Sequence, residues 1–139
     1  MKNTLLNNFI RYVKIDTMSS EEANTTPSTN KQFDLAKQLV DELLKLGLKD
    51  IHLSENCFVY ATLPANIDTK ESIGFVAHMD TIPGFSGTNV NPQIIKNYDG
   101  SDIELNGVSI TNKQFPFMKD LVGKTLITTD GTTVLGADD

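Results

Sequence analysis

The chain is poor in the features that mark secreted and membrane proteins. Its 139 residues include one cysteine, which excludes an internal disulfide and suits the reducing cytosol, so we expect a cytoplasmic protein. The first residues have no apolar stretch of the kind found in signal peptides. No apolar run approaches the roughly 18 residues that a membrane-spanning helix needs. The single thiol, Cys57, lies in a strand-like apolar run and is predicted to be buried rather than reactive.

Basic residues and nucleotide-binding patterns are scarce as well. Lys and Arg number 12 against 18 Asp and Glu, a net charge of −6, which argues against nucleic acid and anionic membranes as partners. The sequence has no glycine-rich phosphate loop and no serine-centred nucleophile elbow. What remains is an ordinary globular composition, 39% apolar and 22% charged, at a length that suits one domain.

The apolar periodicity predicts an α/β fold. Two amphipathic helices are expected, at residues 4–14 and 30–46, and Gly47 is expected to end the second. A compact apolar run at 73–77, without polar alternation, predicts a central strand buried on both faces of a mixed sheet. Other strands are expected at 51–53, 57–63, 93–96 and within 103–110, with a hairpin at 126–135 that turns at Asp130-Gly131.

The first of two polar motifs that suit metal binding lies at the end of the predicted central strand. His78 and Asp80 stand there, and ligand sites in open α/β sheets lie at such strand ends. A neutral imidazole is a good zinc ligand, and a carboxylate that accepts a hydrogen bond from its second nitrogen orients the ring. Taken alone, the pattern more often marks a structural histidine at a turn.

The second motif is the Asp138-Asp139 pair, which follows an apolar run and Gly136. Adjacent carboxylates repel in a dry site unless a dication lies between them, and a bridging carboxylate is usual in two-metal hydrolases. A solvated pair of aspartates is the alternative. His52, the other histidine, fits no short ligand motif and is expected to be structural.

Together these residues resemble a known family. The runs 73–81 and 136–139 look like the two N-terminal metal motifs of the M20 metallopeptidases. Further segments resemble the members of that family that act as aminopeptidases on tripeptides; these are residues 26–29, 61–66, 85–87, 89–94 and 126–131. The similarity extends through nearly all of the chain, and a set of separate matches is far more specific than either motif alone.

The resemblance implies a zinc-exopeptidase domain, phosphorylase/hydrolase-like in fold, with a two-zinc site. His78 would bind one zinc ion, Asp80 would be a catalytic residue that orients His78, and Asp138 would bridge the two metals. The implied activity is release of the N-terminal residue from tripeptides. A homodimer of the full-length protein is the assembly that the family suggests.

The sequence also departs from the family pattern, which continues past the Asp pair. There the family has a Glu-Glu pair, whose first member is the general base, a further Asp, a distant His and an inserted smaller domain used for dimerisation or substrate contact. None of these lies in residues 1–139. We therefore expect an incomplete, N-terminal portion of the catalytic domain that is inactive alone. Another M20 activity (dipeptidase, carboxypeptidase or deacylase) and a non-catalytic remnant are the alternatives.

Overall fold

The computed structural model describes residues 2–136, with side chains described from residue 4 onward. It is a small mixture of short helices and two-stranded sheets. Two compact units can be separated: residues 17–83 form one, and residues 1–16 together with 84–139 form the other. None of the helices within residues 2–136 has the length and apolarity needed to cross a membrane.

The unit of residues 17–83 is a helix packed on a hairpin. Helix α2 (Gln32–Lys45) contacts the antiparallel strands β1 (Lys49–Leu53) and β2 (Val59–Thr62). Its apolar stripe buries Leu35 and Ala36, as the helical periodicity of the sequence predicts. Gly47, two residues past the end of the helix, terminates it and has a φ of 81°. The N–H groups of Gly47 and Leu48 donate to the Leu44 and Leu43 carbonyls, and this satisfies the last turn as a Schellman motif does.

The predicted central strand is not formed, and this part of the sequence interpretation was wrong. Residues 73–77 have no strand pairing, and Ile73, Phe75 and Val76 are 84%, 94% and 101% exposed. A run that is apolar on both faces becomes a buried strand only when neighbouring strands and a covering layer on each face are supplied. Within the described part of residues 17–83, the β1–β2 hairpin does not supply them.

The predicted mixed sheet is also absent from residues 2–136. The strands pair in three separate antiparallel sheets: β1 with β2, β3 (Gln93–Ile95) with β6 (Leu126–Thr128), and β4 (Ile103–Glu104) with β5 (Ser109–Ile110). In a two-stranded antiparallel sheet, each short strand pairs with a single neighbouring strand. A mixed sheet needs parallel neighbours as well, and the described chain has a parallel contact only as an isolated bridge between Met18 and Thr81.

The second unit contains helix α1 (Lys2–Tyr12), the sheets β3–β6 and β4–β5, and a 3₁₀ helix at Pro116–Leu121. The core of its sheet region consists of Tyr98, Ile103 and Met118, each at most 8% exposed. Partly buried side chains from the surrounding strands and loops pack against these three; they are Ile95, Leu105, Ile110, Leu121 and Leu126. Three buried side chains are a small core, so each contributes a large share of the stability of this region.

The hairpin predicted at 126–135 is corrected by the structure. Leu126–Thr128 pairs instead with β3, and Leu126 itself lies opposite Ile95, 31 residues earlier in the chain. Asp130-Gly131 does form a turn, but the Asp130 carboxylate accepts the N–H and the hydroxyl of Thr132, at 3.0 and 2.6 Å. A side chain that engages the backbone two residues on competes with the ladder that a return strand would form.

The same hydrogen bonds make Asp130 a source of pH-dependent stability. The Thr132 hydroxyl first, then the Thr132 N–H and the Asn91 amide, lower the pKa of Asp130 below its ordinary value. Because the folded pKa is depressed, the stabilisation is complete above the unfolded value of about 3.9. It is lost as pH falls through the folded pKa.

We therefore expect the urea midpoint of the chain to decrease on acidification from about pH 6 to about pH 3, and Asp130→Asn to flatten part of this dependence. The measurement is urea unfolding followed by circular dichroism at a series of pH values. A variant whose midpoint changes with pH as steeply as that of the wild type would contradict the assignment.

Candidate metal centre

The two polar residues of the first motif contact each other directly. Nδ1 of His78 lies 3.1 Å from Oδ1 of Asp80, within hydrogen-bonding distance. The side chains are 59% and 45% exposed, so the pair is open to solvent within its own unit. With Nδ1 donating to the carboxylate, a metal would bind at Nε2. This is the arrangement in which a carboxylate orients a zinc-binding histidine.

The backbone beside the pair is held by the segment Thr17–Ser19. Met18 and Thr81 form a parallel bridge. The Thr81 N–H donates to the Thr17 carbonyl at 3.2 Å, and the Ser19 N–H and hydroxyl both donate to the Thr81 carbonyl, at 2.9 and 2.8 Å. Thr17 is 2% exposed. These bonds anchor the residue that follows Asp80.

A second set of bonds ties this anchor to the start of α2. The Thr29 hydroxyl donates to the Met18 carbonyl at 2.8 Å. The Ser28 hydroxyl accepts the Ser20 N–H at 3.1 Å and the Gln32 side-chain amide at 3.2 Å. The polar loop before α2 is therefore ordered by its own hydroxyl groups.

Sequence reasoning did not identify Thr17 and Ser19. Their partner, Thr81, lies more than 60 residues away in the chain. No local pattern reports such a contact. The available signal was the run of Ser and Thr itself, since these side chains hydrogen-bond to nearby backbone.

The remaining candidate residues are not brought to His78 in the described part of the chain. Among residues 2–136, no three His, Cys, Asp or Glu side chains come together as a metal ion requires. Asp138 and its neighbour Asp139 lie outside the described residues. The donor chemistry of His78 and Asp80 thus fits one ligand and its orienting group. A catalytic zinc takes about three protein ligands and a water.

The other histidine and the cysteine have structural surroundings. The His52 ring, on β1, stacks on Tyr60 of β2 with centroids 6.2 Å apart. Cys57 is buried, as predicted. Burial raises the pKa of its thiol, and the positive charge of Lys37 opposes this only in part. A thiol that stays protonated is a poor metal ligand, because the thiolate is the binding form.

The segment that leads towards Asp138 is tied to the loop at 84–88 within the second unit. The Val134 N–H donates to the Ser86 carbonyl at 3.1 Å. The Thr88 hydroxyl donates to the Asp16 carboxylate at 2.7 Å. These two bonds hold the middle of the loop, at Ser86, and its last residue, Thr88, to residues distant in sequence.

Comparison with known proteins gives one consistent answer. No protein-family model matches the chain. It is 55% identical over 143 residues to "Peptidase T" of Geobacillus thermodenitrificans, an alignment that covers 100% of this chain and 35% of the relative. "Peptidase T" of Alkaliphilus oremlandii is 55% identical over 144 residues, covering 99% and 35%. "Peptidase T" of Desulfitobacterium hafniense is 56% identical over 142 residues, covering 99% and 34%.

The alignments include essentially every residue of this chain but leave most of each relative unmatched. The chain spans about a third of the length of the curated relatives it matches. Each alignment extends over essentially the whole of this chain, which agrees with the separate matching segments found in the sequence. Over its whole length the chain is therefore similar to about a third of each of these peptidase T proteins.

Proposed function

We propose that this chain supplies the first metal-binding motif of a two-zinc aminopeptidase that releases the N-terminal residue from tripeptides. The observation that carries the proposal is the 55% identity, over the whole chain, to a protein named peptidase T. The contact between His78 and Asp80 supports it, because the motif singled out in the sequence has the geometry of a ligand and its orienting carboxylate.

The roles of the residues follow from their chemistry. His78 would bind a zinc ion through Nε2, and Asp80 would hold the imidazole in that tautomer and orientation. Asp138 would bridge two metals, as the sequence predicts. The zinc ions would supply the Lewis acidity that polarises the scissile carbonyl and makes a water molecule acidic enough to attack it. The anchor at Thr17–Ser19 would keep His78 and Asp80 from shifting as substrate enters.

We further propose that residues 1–139 form the N-terminal portion of a zinc-exopeptidase domain of a cytoplasmic enzyme. Two zinc ions that share one carboxylate require roughly five protein ligands, and the candidates in this chain are His78 and Asp138. The remaining ligands and the general base would come from the part of the relatives that this chain does not match. The same part would supply any dimer contact. The chain alone would not hydrolyse peptides.

The test is a chimera in which this chain replaces the matching third of peptidase T from Geobacillus thermodenitrificans. We expect the chimera, loaded with zinc, to hydrolyse tripeptides and to leave dipeptides and N-acyl amino acids intact. We expect the 139-residue chain alone to hydrolyse none of them. Hydrolysis of dipeptides or N-acyl amino acids in place of tripeptides would reject the substrate class. Activity of the chain alone would reject its proposed dependence on further residues.

Asp80→Asn is expected to weaken zinc binding by the chimera about 10–100-fold, the usual effect of removing a carboxylate that orients a ligand histidine. The asparagine keeps the size of the side chain but removes the charge that the His78 imidazole faces at 3.1 Å. Competition with a chelator of known affinity gives the zinc affinity.

The matched control is Asp68→Asn, which makes the same substitution at an exposed loop position of the same unit. It is expected to leave zinc affinity unchanged. Equal effects of Asp80→Asn and Asp68→Asn would show that Asp80 does not orient His78.

A further inference from the structure

The turn between β4 and β5 presents an exposed Asn-Gly pair. Residues 105–108 connect the two strands, and the Leu105 N–H donates to the Val108 carbonyl at 2.8 Å. Asn106 and Gly107 occupy the tip, and both are exposed. Gly107 has a φ of 80°, a conformation that glycine adopts without steric cost. Asn106 is followed by glycine, which holds for no other asparagine of the sequence.

Neither reacting group at this pair is engaged within the described residues. The Asn106 side chain makes no hydrogen bond there, and the Gly107 N–H donates none. A Cβ built on Gly107 would meet nothing within 4 Å, so the tip has room to move. Asparagine is a thermolabile residue, and it reacts when its side-chain carbonyl carbon can reach the next backbone nitrogen.

In the Asp99-Gly100 and Asp130-Gly131 pairs, which belong to the same unit, hydrogen bonds hold the side chain before the glycine. The Asp99 carboxylate, before Gly100, accepts the N–H and hydroxyl of Ser101 at 2.9 and 2.7 Å. Asp130, before Gly131, is held by Thr132 in the same way. The Ser101 hydroxyl and N–H lower the pKa of Asp99, so it remains the carboxylate, which does not cyclise readily.

Two other asparagines of the same unit, Asn112 and Asn97, are also restrained. The Asn112 side-chain amide donates to the Gly100 carbonyl at 2.6 Å and to the Asp102 carboxylate at 3.1 Å. Asn97 precedes Tyr98, which is 2% exposed. Ring closure at Asn97 would require its side chain to reach the backbone nitrogen of this buried residue. A buried aromatic residue leaves little freedom for ring closure.

We propose that Asn106 is a site of spontaneous deamidation in the folded chain, with water as the co-reactant. The Gly107 backbone nitrogen loses its proton and bonds to Cγ of Asn106. The bond from Cγ to Nδ2 breaks, and Nδ2 leaves as ammonia, carrying away that proton. Water then opens the resulting succinimide. Cleavage at Cγ gives aspartate, and cleavage at the main-chain carbonyl carbon gives isoaspartate, in which the backbone runs through the side chain.

The position of the turn gives this reaction a structural consequence. The Asn106 N–H donates to the Asp130 carbonyl at 2.8 Å, and a Cβ built on Gly131 would lie 2.9 Å from both the Asn106 nitrogen and Leu105 Cβ. Isoaspartate lengthens the backbone by one carbon at this close approach. Its formation should therefore loosen the contact between the β4–β5 turn and the Asp130-Gly131 turn. The inference is independent of the proposed peptidase function.

The test is mass spectrometry of the intact chain after incubation at mildly alkaline pH and 37 °C, followed by tryptic digestion at mildly acidic pH to avoid artefactual reaction. Cleavage after Lys96 and Lys113 releases residues 97–113, which contain the predicted site and three internal controls, Asn97, Asp99 and Asn112. We expect conversion of the Asn106 amide to the acid, as a mixture of aspartate and isoaspartate. The three controls should remain unchanged over the time in which half of Asn106 reacts.

Two variants separate the reaction from general instability. Asn106→Gln retains the amide but would have to close a six-membered ring, so its conversion should be undetectable over the same period. Gly107→Ala adds a methyl group beside the attacking nitrogen and should slow conversion severalfold. Conversion of Asn97 or Asn112 as fast as Asn106 would overturn the proposal. So would an Asn106 that stays intact in the folded chain while the urea-unfolded chain converts it.

Discussion

Replacing His78 by alanine in the chimera is expected to lower kcat/KM by more than about 100-fold, beyond the effect expected of its orienting partner Asp80. Alanine has no ligand atom, whereas Asp80→Asn leaves the imidazole in place. The zinc content of the purified protein should decrease with the activity, because a ligand and not only its orientation is lost. Activity on a tripeptide and zinc content by elemental analysis are the two measurements.

The matched control for this experiment is His52→Ala, which removes the other histidine of the chain. The His52 side chain is exposed and stacks on Tyr60, so its loss should change stability by less than about 1 kcal/mol and leave zinc content unchanged. If both variants lost activity equally, His78 would have no special role. If His52→Ala alone lost zinc, the assignment of the metal-binding histidine would be reversed.

Met118→Ala is expected to destabilise the unit of residues 1–16 and 84–139 by about 2–5 kcal/mol, the usual cost of truncating a buried methionine. Met118 is 3% exposed and packs with Tyr98 and Ile103 in a core of three buried residues. Where the cost lies in this range depends on how far the surrounding side chains close on the space that Met118 leaves. In a unit of this size the loss corresponds to a decrease of about 10 °C or more in melting temperature.

Thermal unfolding followed by circular dichroism measures the effect of Met118→Ala. Lys119→Ala is the matched control, since it truncates the next residue of the same 3₁₀ helix at an exposed position. Its expected effect is within about 0.5 kcal/mol. A Met118→Ala variant that melts together with Lys119→Ala would show that these three residues are not the stabilising core.

Much of the local structure can be predicted from the sequence, because its causes are local. The stripe that includes Leu35 and Ala36 predicts α2, and Gly47 predicts where it ends. Helical hydrogen bonds join residues four apart, so a short segment of sequence contains the information that specifies a helix. The burial of Cys57 also agrees with the prediction, since free cysteines are commonly buried. The His78-Asp80 motif is recognisable because both partners lie two residues apart.

The failures concern residues whose partners are distant. Residues 73–77 have the composition of a buried strand, yet their side chains are exposed because a strand is buried by what lies beside it. Leu126–Thr128 has two candidate partners, the segment after the Asp130-Gly131 turn and β3, and it pairs with β3. Strand pairing is decided by packing against neighbours rather than by an intrinsic preference of the segment.

The sequence by itself determined the similarity to peptidase T, the two helices, the location of the His78-Asp80 motif and the Asn106-Gly107 pair, since each depends on residues close together in the chain. Only the tertiary structure decided that Thr17 and Ser19 anchor Thr81 beside that motif. It also decided that Asp99 and Asn112 are held by hydrogen bonds while the Asn106 side chain is not. These contacts arise when the chain closes on itself, and closing a long loop brings together residues that no local pattern relates.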